Sequence, residues 1–379
     1  MIRKINRIIQ NWMREKRLFL GRVIWDNKKK SEKFNEKNII ENNNVRSILF
    51  LRYDGKIGDT VISTLMFREI KKRYPSIKIG IVTRKNNYEI IKDNPYIEKK
   101  YIYEKSLRKI LKLARKIKAD KYDLLIDFSE MLRVKQMMFV NLCSCRFNLG
   151  YKKTSWKLFD GSFDEPKGNY HITKLYQNVL KDLGIVSIDL SYELFFLDET
   201  KQKIDKLIDK YNGKKIYILN PFAASKHREL NEINIHKIID IILQKKDRVV
   251  FLIGEKGNSE RIKKVIEQYD GKVFYPALDS IMETAYLIKK SQFVISPDTS
   301  IVHISACFKK NMIAIYRLDF HEENRKNSNL WAPNYPEALQ VYSIDNSVKF
   351  GEEPDINKFD LGEIDNIINK SDKGEKNDF

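Results

Sequence analysis

The chain has 379 residues, long enough for two domains with separate cores. Its hydrophobic fraction of 42% and aromatic fraction of 11% exclude wholesale disorder. The net charge of +20 favours a partner rich in phosphate: nucleic acid, an anionic membrane surface, or a phosphorylated glycolipid and nucleotide. Part of this charge also follows from a general preference for Lys, Ile and Asn along the chain.

The first 45 residues are predicted to be a separate, basic amphipathic extension. Apolar residues from Ile2 to Trp25 recur at helical spacing and alternate with Arg and Lys. This pattern is typical of a helix on an anionic membrane surface, so residues 1–30 are predicted to contact one. The alternative is a helix that packs back on the following domain.

Cysteines and hydropathy bear on the compartment. Cys143, Cys145 and Cys307 lack metal-ligand spacing and are expected to be structural thiols in a reducing environment. The N-terminus lacks the apolar core and cleavage site of a signal peptide, and no segment reaches the roughly 18 apolar residues of a membrane span. The protein is therefore expected to be cytoplasmic.

Residues 46–205 are predicted to alternate between strands and helices. Such alternation indicates a right-handed, doubly wound parallel sheet. The predicted elements are a strand at Ser47–Tyr53, a helix at Thr60–Tyr74, a strand at Ile77–Val82, a helix at Leu107–Lys118 with Ser106 as its N-cap, a strand at Leu124–Asp127 and a turn at Arg146–Tyr151.

Residues 206–350 repeat the pattern more clearly, and residues 351–379 are predicted to hold a C-terminal helix and a disordered tail after about residue 370. The predicted strands of the second domain are Lys215–Asn220, Arg248–Ile253, Lys272–Tyr275, Phe293–Ser296 and Met312–Tyr316. The predicted helices cover residues 231–245, 257–269, 281–290 and 301–308.

The loop from Asp54 to Asp59 connects the first strand to the first helix. Gly55 and Gly58 permit a tight turn and a close approach of a ligand to the backbone. The Asp59 carboxylate is placed either to cap the helix or to point into a cleft between two domains. The loop lacks the G-x-G-x-x-G pattern of dinucleotide-binding proteins.

A second polar loop, Asp298-Thr299-Ser300, precedes a helix that carries His303. Backbone N–H groups and hydroxyls at a helix start suit a diphosphate, and His303 is expected on the same side. The alternative for His303 is a packed core residue.

Two further candidates are a basic cluster in the loop after the predicted strand Lys215–Asn220 and an aspartate at the end of the strand Leu124–Asp127. Lys226, His227 and Arg228 form a cation cluster that could neutralise a leaving group, or simply be a solvated charge run. Asp127 is expected to reach the cleft from the end of its strand. The sequence has no D-x-D, H-E-x-x-H, Walker or G-x-S-x-G motif, so it does not indicate a metal site.

Between about Ser47 and Tyr316, these motifs occur in an order that resembles glycosyltransferase family 9, the heptosyltransferases of lipopolysaccharide core assembly. The motifs that carry the resemblance are Gly58-Asp59-Thr60-Val61, Asn94-Pro95-Tyr96-Ile97, YDLLIDF at residues 122–128 and D-[ST]-x-x-x-H at residues 298–303.

The resemblance implies a GT-B fold: two Rossmann-like, doubly wound parallel-sheet domains facing a central cleft, with the acceptor bound mainly by the first and the donor by the second. It implies an inverting enzyme without a metal, whose donor is a nucleotide sugar such as ADP-heptose. Asp59 matches the family's general base, beside an acceptor-side loop with Lys56, Gly58 and Asp127. The donor-side positions are Lys226, Arg228, Asp298, Thr299, Ser300 and His303.

Two departures leave the sugar and the nucleotide open. Ser300 stands where the family commonly has Gly, so a ligand has less room near the backbone. The segment Arg228-Glu229-Leu230-Asn231 replaces the family's Lys-x-Trp-Pro, with Arg228 fitting the Lys position best and Lys226 as an offset candidate.

The preferred interpretation is a transferase that adds a sugar to a lipid-linked saccharide at the inner face of the inner membrane. An alternative is a GT-B transferase of another nucleotide sugar in capsule or O-chain assembly. A basic nucleic-acid-binding protein is disfavoured because the charge is spread along the chain without a recognised binding module. A nicotinamide-dependent oxidoreductase is disfavoured by the missing dinucleotide motif.

Overall fold

The chain divides into two compact units in the computed structural model, which describes residues 2–28, 32–130, 132–318, 327–345 and 355–372. Unit 1 comprises Met1–Lys56, Ser63–Pro166 and Lys174–Leu190. Unit 2 comprises Ile57–Ile62, Lys167–Thr173 and Ser191–Phe379.

Unit 1 is built on a six-stranded sheet in the order β3-β2-β1-β4-β5-β6, with every neighbouring pair parallel. Its strands are β1 Ser47–Arg52, β2 Lys78–Thr83, β3 Lys99–Ile102, β4 Leu124–Asp127, β5 Phe147–Tyr151 and β6 Gly161–Phe163. The helices between residues 2 and 182 are α1 Ile2–Trp25, α2 Ile39–Asn42, α3 Ile57–Arg73, α4 Lys85–Lys92, α5 Leu107–Asp120, α6 Val134–Cys143 and α7 Ile172–Asp182. By its contacts, the first turn of α3 belongs to unit 2.

Unit 2 has a second six-stranded parallel sheet, in the order β12-β11-β10-β7-β8-β9. Its strands are β7 Lys215–Leu219, β8 Arg248–Leu252, β9 Val273–Phe274, β10 Phe293–Pro297, β11 Asn311–Leu318 and β12 Ala338–Ile344. Its helices are α8 Asp198–Asp209, α9 Glu232–Leu243, α10 Ser259–Ile266, α11 Ile281–Lys290, α12 Ser300–Ala306 and α13 Leu361–Asp372.

Both sheets have the same topology when their strands are counted from the first one in each unit. The chain fills one half of the sheet, then crosses back to fill the other, which creates a switch point between β1 and β4 and another between β7 and β10. In open parallel sheets, ligands bind beyond the carboxyl ends of the strands at such points. The expected doubly wound sheets are therefore confirmed, and each has one predicted place for a site.

Strands that are buried along their whole length were the most predictable elements. Residues on β4 and β8 are buried throughout, as continuous apolar runs in parallel sheets require, and their predicted bounds agree with the structure to within one residue. The predicted turn at Arg146–Tyr151 is wrong, because Phe147–Tyr151 forms β5 beside β4. Position 150 has no room for a side chain, because a Cβ there would lie 2.5 Å from Lys153 Cγ.

The start of helix α3 also differs from prediction, whereas the start of α5 agrees with it. Helix α3 begins at Ile57 rather than Thr60, so Asp59 lies within its first turn and Lys56 occupies the N-cap position. Ser106 is at the N-cap of α5 as predicted, but its side chain makes no capping hydrogen bond. The last residues of the predicted disordered tail, 373–379, lie outside the described residues.

Helix α1 is attached to unit 1 through its C-terminal half. A Cβ on Gly21 would lie 2.7 Å from Val134 Cγ2 of α6, and Leu18 and Trp25 pack against the apolar core. The Asp26 carboxylate accepts a hydrogen bond from the Leu158 backbone N–H at 3.0 Å. The C-terminal half of α1 therefore packs back on the following domain, which was the alternative to membrane contact. No helix in the described parts of the chain is both long and apolar enough to cross a membrane.

Ile295 and Ile344 provide a test of where unit 2 derives its stability. Ile295 is 0% exposed on the central strand β10, whereas Ile344 is 50% exposed on the outer strand β12. We expect Ile295→Ala to lower the free energy of unfolding by about 2–5 kcal/mol because it leaves a cavity in the core. Ile344→Ala is expected to change it by about 0.5 kcal/mol or less. Urea denaturation followed by circular dichroism measures both, and equal effects would contradict the assignment of the core.

Candidate functional site

Polar residues follow both strands at the switch point of unit 2. Asn220 comes directly after β7, and its Nδ2 donates to Ser296 Oγ on β10 at 2.9 Å and to Thr299 Oγ1 at 3.3 Å. The Asn220 backbone N–H also donates to the Ile295 carbonyl at 2.9 Å. This buried amide therefore fixes the loop after β7 to the loop after β10.

Thr299 begins the short helix α12. Its Oγ1 accepts a hydrogen bond from the Ile301 backbone N–H at 3.3 Å, so Thr299 is the N-cap and Ser300 the first helical residue. Ser296 Oγ and Thr299 Oγ1 are 3.1 Å apart. The Asp298-Thr299-Ser300 loop is thus held by its own hydroxyls at the sheet edge where ligands are expected.

Asp298 forms an ion pair with the loop after β7. Arg228 Nη1 lies 3.4 Å from Asp298 Oδ2, and both residues line a small cavity together with Tyr316, Arg317, Asn327, Ser328 and Ile356. Burial raises the pKa of the Asp298 carboxyl, while Arg228 and Arg317 act in the opposite direction. Two guanidinium groups therefore face one partly buried carboxylate.

Of the two basic candidates in the loop after β7, only one contacts this carboxylate. Arg228 is half-buried in a single 3-10 turn, Lys226–Arg228, whereas Lys226 is exposed. Leu230, where the resemblance would place Trp, is 1% exposed, and its backbone N–H donates to the Pro221 carbonyl at 2.8 Å. A backbone hydrogen bond therefore closes the loop from Pro221 to Leu230, and the Leu230 side chain is buried.

His303 on α12 is buried, with 5% of its surface exposed. Its Nδ1 is enclosed and has no hydrogen-bond partner among the described residues, and its ring contacts Trp331 edge-on at 6.0 Å between centroids. Burial, assisted by nearby His171, lowers the pKa of His303 to about 3. The imidazole is consequently neutral at physiological pH.

His171 is a second neutral imidazole in the same unit. Its Nδ1 accepts from the Thr173 backbone N–H at 3.2 Å, so Nε2 carries the proton and donates to the Ala332 carbonyl at 3.0 Å. Burial lowers the pKa of His171 to about 4, although the hydrogen bond to Ala332 opposes this. His171 connects residues 167–173 to the segment that carries Trp331.

The first turn of α3 packs directly against His303. A Cβ on Gly58 would lie 2.6 Å from His303 Cδ2, a distance that carbon atoms do not tolerate, so only glycine allows this approach. Asp59, the next residue, is half-buried in the same turn. The Gly58-Asp59 motif and the motif that ends at His303, which are far apart in the sequence, thus meet within unit 2.

The loop before α3 is shaped by backbone contacts. Gly55 has φ +80°, which side chains rarely adopt, and its carbonyl accepts from Asn86 Nδ2 at 2.6 Å. Asp54 Oδ1 accepts from the Lys56 backbone N–H at 3.1 Å, and the Lys56 side chain is exposed.

Asp127 at the end of β4 is directed into unit 1 rather than towards solvent. The carboxylate is 0% exposed and accepts from Tyr53 Oη at 3.0 Å and from Ser129 Oγ at 2.6 Å. The buried Lys153 ammonium donates to the carbonyls of Glu130 and Tyr151. Burial raises the pKa of Asp127 and lowers that of Lys153, while their opposite charges counter both shifts.

Three residues of the candidate site were not found from the sequence: Asn220, Arg317 and His171. Asn220 could have been found, because it is the polar last residue of a predicted strand, Lys215–Asn220. His171 lies in a stretch without clear periodicity, and Arg317 follows the apolar residues of β11. Among the described residues, no group of three or more His, Cys, Asp or Glu side chains could hold a metal ion.

The two histidines predict a pH dependence of stability. Their lowered pKa values mean that the unfolded chain binds more protons below about pH 6.5, so stability falls as the pH falls from there towards the folded values. Between about pH 7.5 and pH 5, each histidine should cost about 1–2 kcal/mol.

We expect His303→Asn to reduce this loss, as measured by urea denaturation at both pH values. His227→Asn, at an exposed position, serves as the control and should leave the loss unchanged. A loss that is the same in His303→Asn and the wild-type protein would contradict the neutral, buried state of His303.

The chain is similar to several known proteins. Lipopolysaccharide heptosyltransferase 3 of Escherichia coli (strain K12) is 22% identical over 317 residues, covering 77% of this chain and 90% of that protein. The crystal structure of the glycosyl transferase family 9 protein from Veillonella parvula DSM 2008 has a TM-score of 0.73 at 15% identity, covering 86% of this chain and 97% of that one. E. coli heptosyltransferase WaaC with ADP has a TM-score of 0.65 at 12% identity, covering 86% and 99%.

These structural likenesses, with the two parallel six-stranded sheets, confirm the expected GT-B fold class of two Rossmann-like domains. The model of glycosyltransferase family 9 (heptosyltransferase) matches residues 110–347, which is more than half of the chain. The resemblance inferred from the sequence motifs is therefore confirmed, and the chain belongs to glycosyltransferase family 9.

Proposed function

We propose that this glycosyltransferase transfers a sugar from a nucleoside diphosphate sugar to a lipid-linked saccharide. The transfer inverts the configuration at the anomeric carbon and needs no metal ion. The observation that carries the proposal is the packing of Gly58 against His303, because it joins the motif with Asp59 to the motif with Asp298. A base and a donor-binding segment side by side are what direct displacement requires.

In this mechanism, Asp59 is the general base. Its carboxylate takes the proton from an acceptor hydroxyl as that oxygen attacks the anomeric carbon, and the bond from this carbon to the donor diphosphate breaks. The half-buried position of Asp59 in the first turn of α3 supports this role, since the residue remains accessible to a substrate. Lys56 and Gly58 belong to the same acceptor-side loop, whereas Asp127 is proposed to act indirectly, by holding the loop at Ser129.

The leaving diphosphate needs positive charge, which Arg228 supplies. At 3.4 Å, the Arg228–Asp298 contact is at the long limit of a hydrogen bond, so the guanidinium is available to an anion. Thr299 and Ser300 would contribute backbone N–H groups, and His303, further along α12, would line the same donor site. Lys226, being exposed, is the weaker candidate.

The proposed donor is ADP-heptose, and the proposed acceptor is a lipopolysaccharide-core saccharide on the cytoplasmic face of the inner membrane. Family membership and the name of the E. coli relative, a lipopolysaccharide heptosyltransferase, support both. The likeness to WaaC with ADP supports the nucleotide. Ser300 and the buried Leu230 favour a second candidate, a different nucleotide sugar used in capsule or O-chain assembly.

Peripheral association with an anionic membrane surface through residues 1–30 is the last part of the proposal. Seven apolar residues in the described part of α1 are 47–65% exposed and lie along one side of the helix, here termed the outer face of α1. Every charged residue of α1 other than Glu15 is basic. The residues of the outer face of α1 are Ile9, Trp12, Met13, Phe19, Leu20, Val23 and Ile24.

Asp59→Asn tests the general base. Turnover should fall by about 100-fold or more because the amide cannot accept the proton, while nucleotide affinity stays near the wild-type value. Asp54→Asn is the matched control in the same loop, since an amide oxygen can still accept from the Lys56 backbone N–H. Steady-state kinetics and calorimetric titration measure the two effects. A fully active Asp59→Asn variant would remove the assignment.

Arg228→Ala tests the donor site. Titration with ADP, UDP, GDP, CMP and NAD, without divalent metal, should give selective ADP binding that weakens by about tenfold or more in this variant, since a charge-assisted contact to phosphate is lost. Lys226→Ala is the control and should bind like the wild type. Selective binding of UDP, GDP or CMP would support the second candidate instead. Binding of none of them would contradict the donor site.

A further inference from the structure

We propose that helix α5 provides a second membrane-contact surface, which binds the anionic headgroups of the bilayer on which α1 lies. This inference rests on the membrane association proposed for α1 and adds an electrostatic contact at a different part of unit 1.

The inner face of α5 is apolar and packed. Ile110, Ala114 and Ile117 are 0–1% exposed and belong to the core cluster beneath the helix. The opposite side holds only exposed cations and small or apolar residues, and every charged residue of α5 other than the terminal Asp120 is basic. The exposed basic residues, here termed the outer face of α5, are Arg108, Lys109, Lys112, Arg115, Lys116 and Lys118.

Helices α1 and α5 lie on the same side of the sheet of unit 1. Both contact α6, and residues of all three helices join one apolar cluster: Leu18 and Trp25 from α1, Ile117 from α5, and Phe139 from α6. Helices α1 and α5 therefore belong to one layer of helices, in which each of them packs against α6. Their inner faces are already used by the core.

This combination matches an anionic bilayer better than the other possible occupants. Bulky apolar side chains flanked by cations suit the boundary between headgroups and acyl chains, and clustered Lys and Arg suit anionic lipid. Lys16 lies within the apolar face of α1 with its ammonium 5.8 Å from the Trp12 ring, a position from which it can extend to the headgroups. A second copy of the chain would bring one basic layer against another, and the charges would repel each other.

The test compares two variants that each lose four positive charges. In the α5 variant, Arg108, Lys112, Arg115 and Lys118 are replaced by Gln. In the matched control, the same change is made at the exposed residues Lys237, Lys246, Lys263 and Lys264 of unit 2. A third variant, Trp12→Ser with Phe19→Ser and Val23→Ser, removes part of the outer face of α1 without touching the core.

Binding is measured by co-sedimentation with vesicles of phosphatidylcholine, with and without phosphatidylglycerol. At low salt, the α5 variant should bind anionic vesicles about tenfold or more weakly than the wild type, while the control stays within about twofold. At high salt the α5 variant and the wild type should become alike, because screening removes the contribution of α5. Glycosyl transfer to a water-soluble acceptor should be unchanged in the α5 variant.

Each other outcome overturns a defined part of the proposal. Equal weakening of the α5 variant and the control would mean that net charge, rather than α5, attracts the membrane. An α5 variant that binds like the wild type would refute the inference, even if the α1 variant has lost binding. An α1 variant that binds like the wild type would instead refute the association proposed for α1. A change of oligomeric state in either variant, seen by light scattering, would identify a protein interface.

Discussion

The close contact between the Gly58 backbone and the His303 ring is the constraint on which the candidate site depends. Because any side chain at position 58 would occupy the space of the imidazole, the first turn of α3 can approach α12 only with glycine there. That turn carries Asp59, and α12 follows Asp298 and Thr299. The glycine of the Gly-Asp motif is thus a steric requirement, and the contact that it allows places Asp59, the proposed general base, beside α12.

Electrostatics reinforces this geometry by fixing protonation states. His303 and His171 are kept neutral by burial. The positive charges that act on Asp298 are therefore those of Arg228 and Arg317. Asp298 has the opposite surroundings, since burial favours its protonation and the two guanidinium groups favour the carboxylate. At the proposed donor site, an incoming diphosphate would compete with Asp298 for Arg228. Donor binding and the charge of Asp298 should therefore be coupled, which an isolated Arg on the surface could not achieve.

The parts of the fold that could be predicted from sequence are those with one dominant physical cause. Strands β4, β7 and β10 are buried on both faces, so their apolar runs identify them, and the polar residues that follow them indicate the switch points. Strand β5 was mistaken for a turn because Asn148 and Gly150 interrupt its apolar pattern, although Asn148 is buried and donates to the Leu158 carbonyl. His171 could not be found because its role depends on a contact with Ala332, far away in sequence.

Helix α1 has two apolar faces, of which one packs on the core of unit 1 and the other is exposed. Its C-terminal half is ordered by Gly21, Leu18 and Trp25 on unit 1, whereas the described side chains from Ile9 to Arg17 are all exposed. An isolated helix of a few turns is marginal in water, so the exposed half gains little from propensity alone. Continuity with the packed half lowers the cost of ordering it, and burial of Trp12 and Met13 in a bilayer would supply the remaining stability. The core contacts of α1 therefore lower the cost of the membrane association that we propose for its outer face.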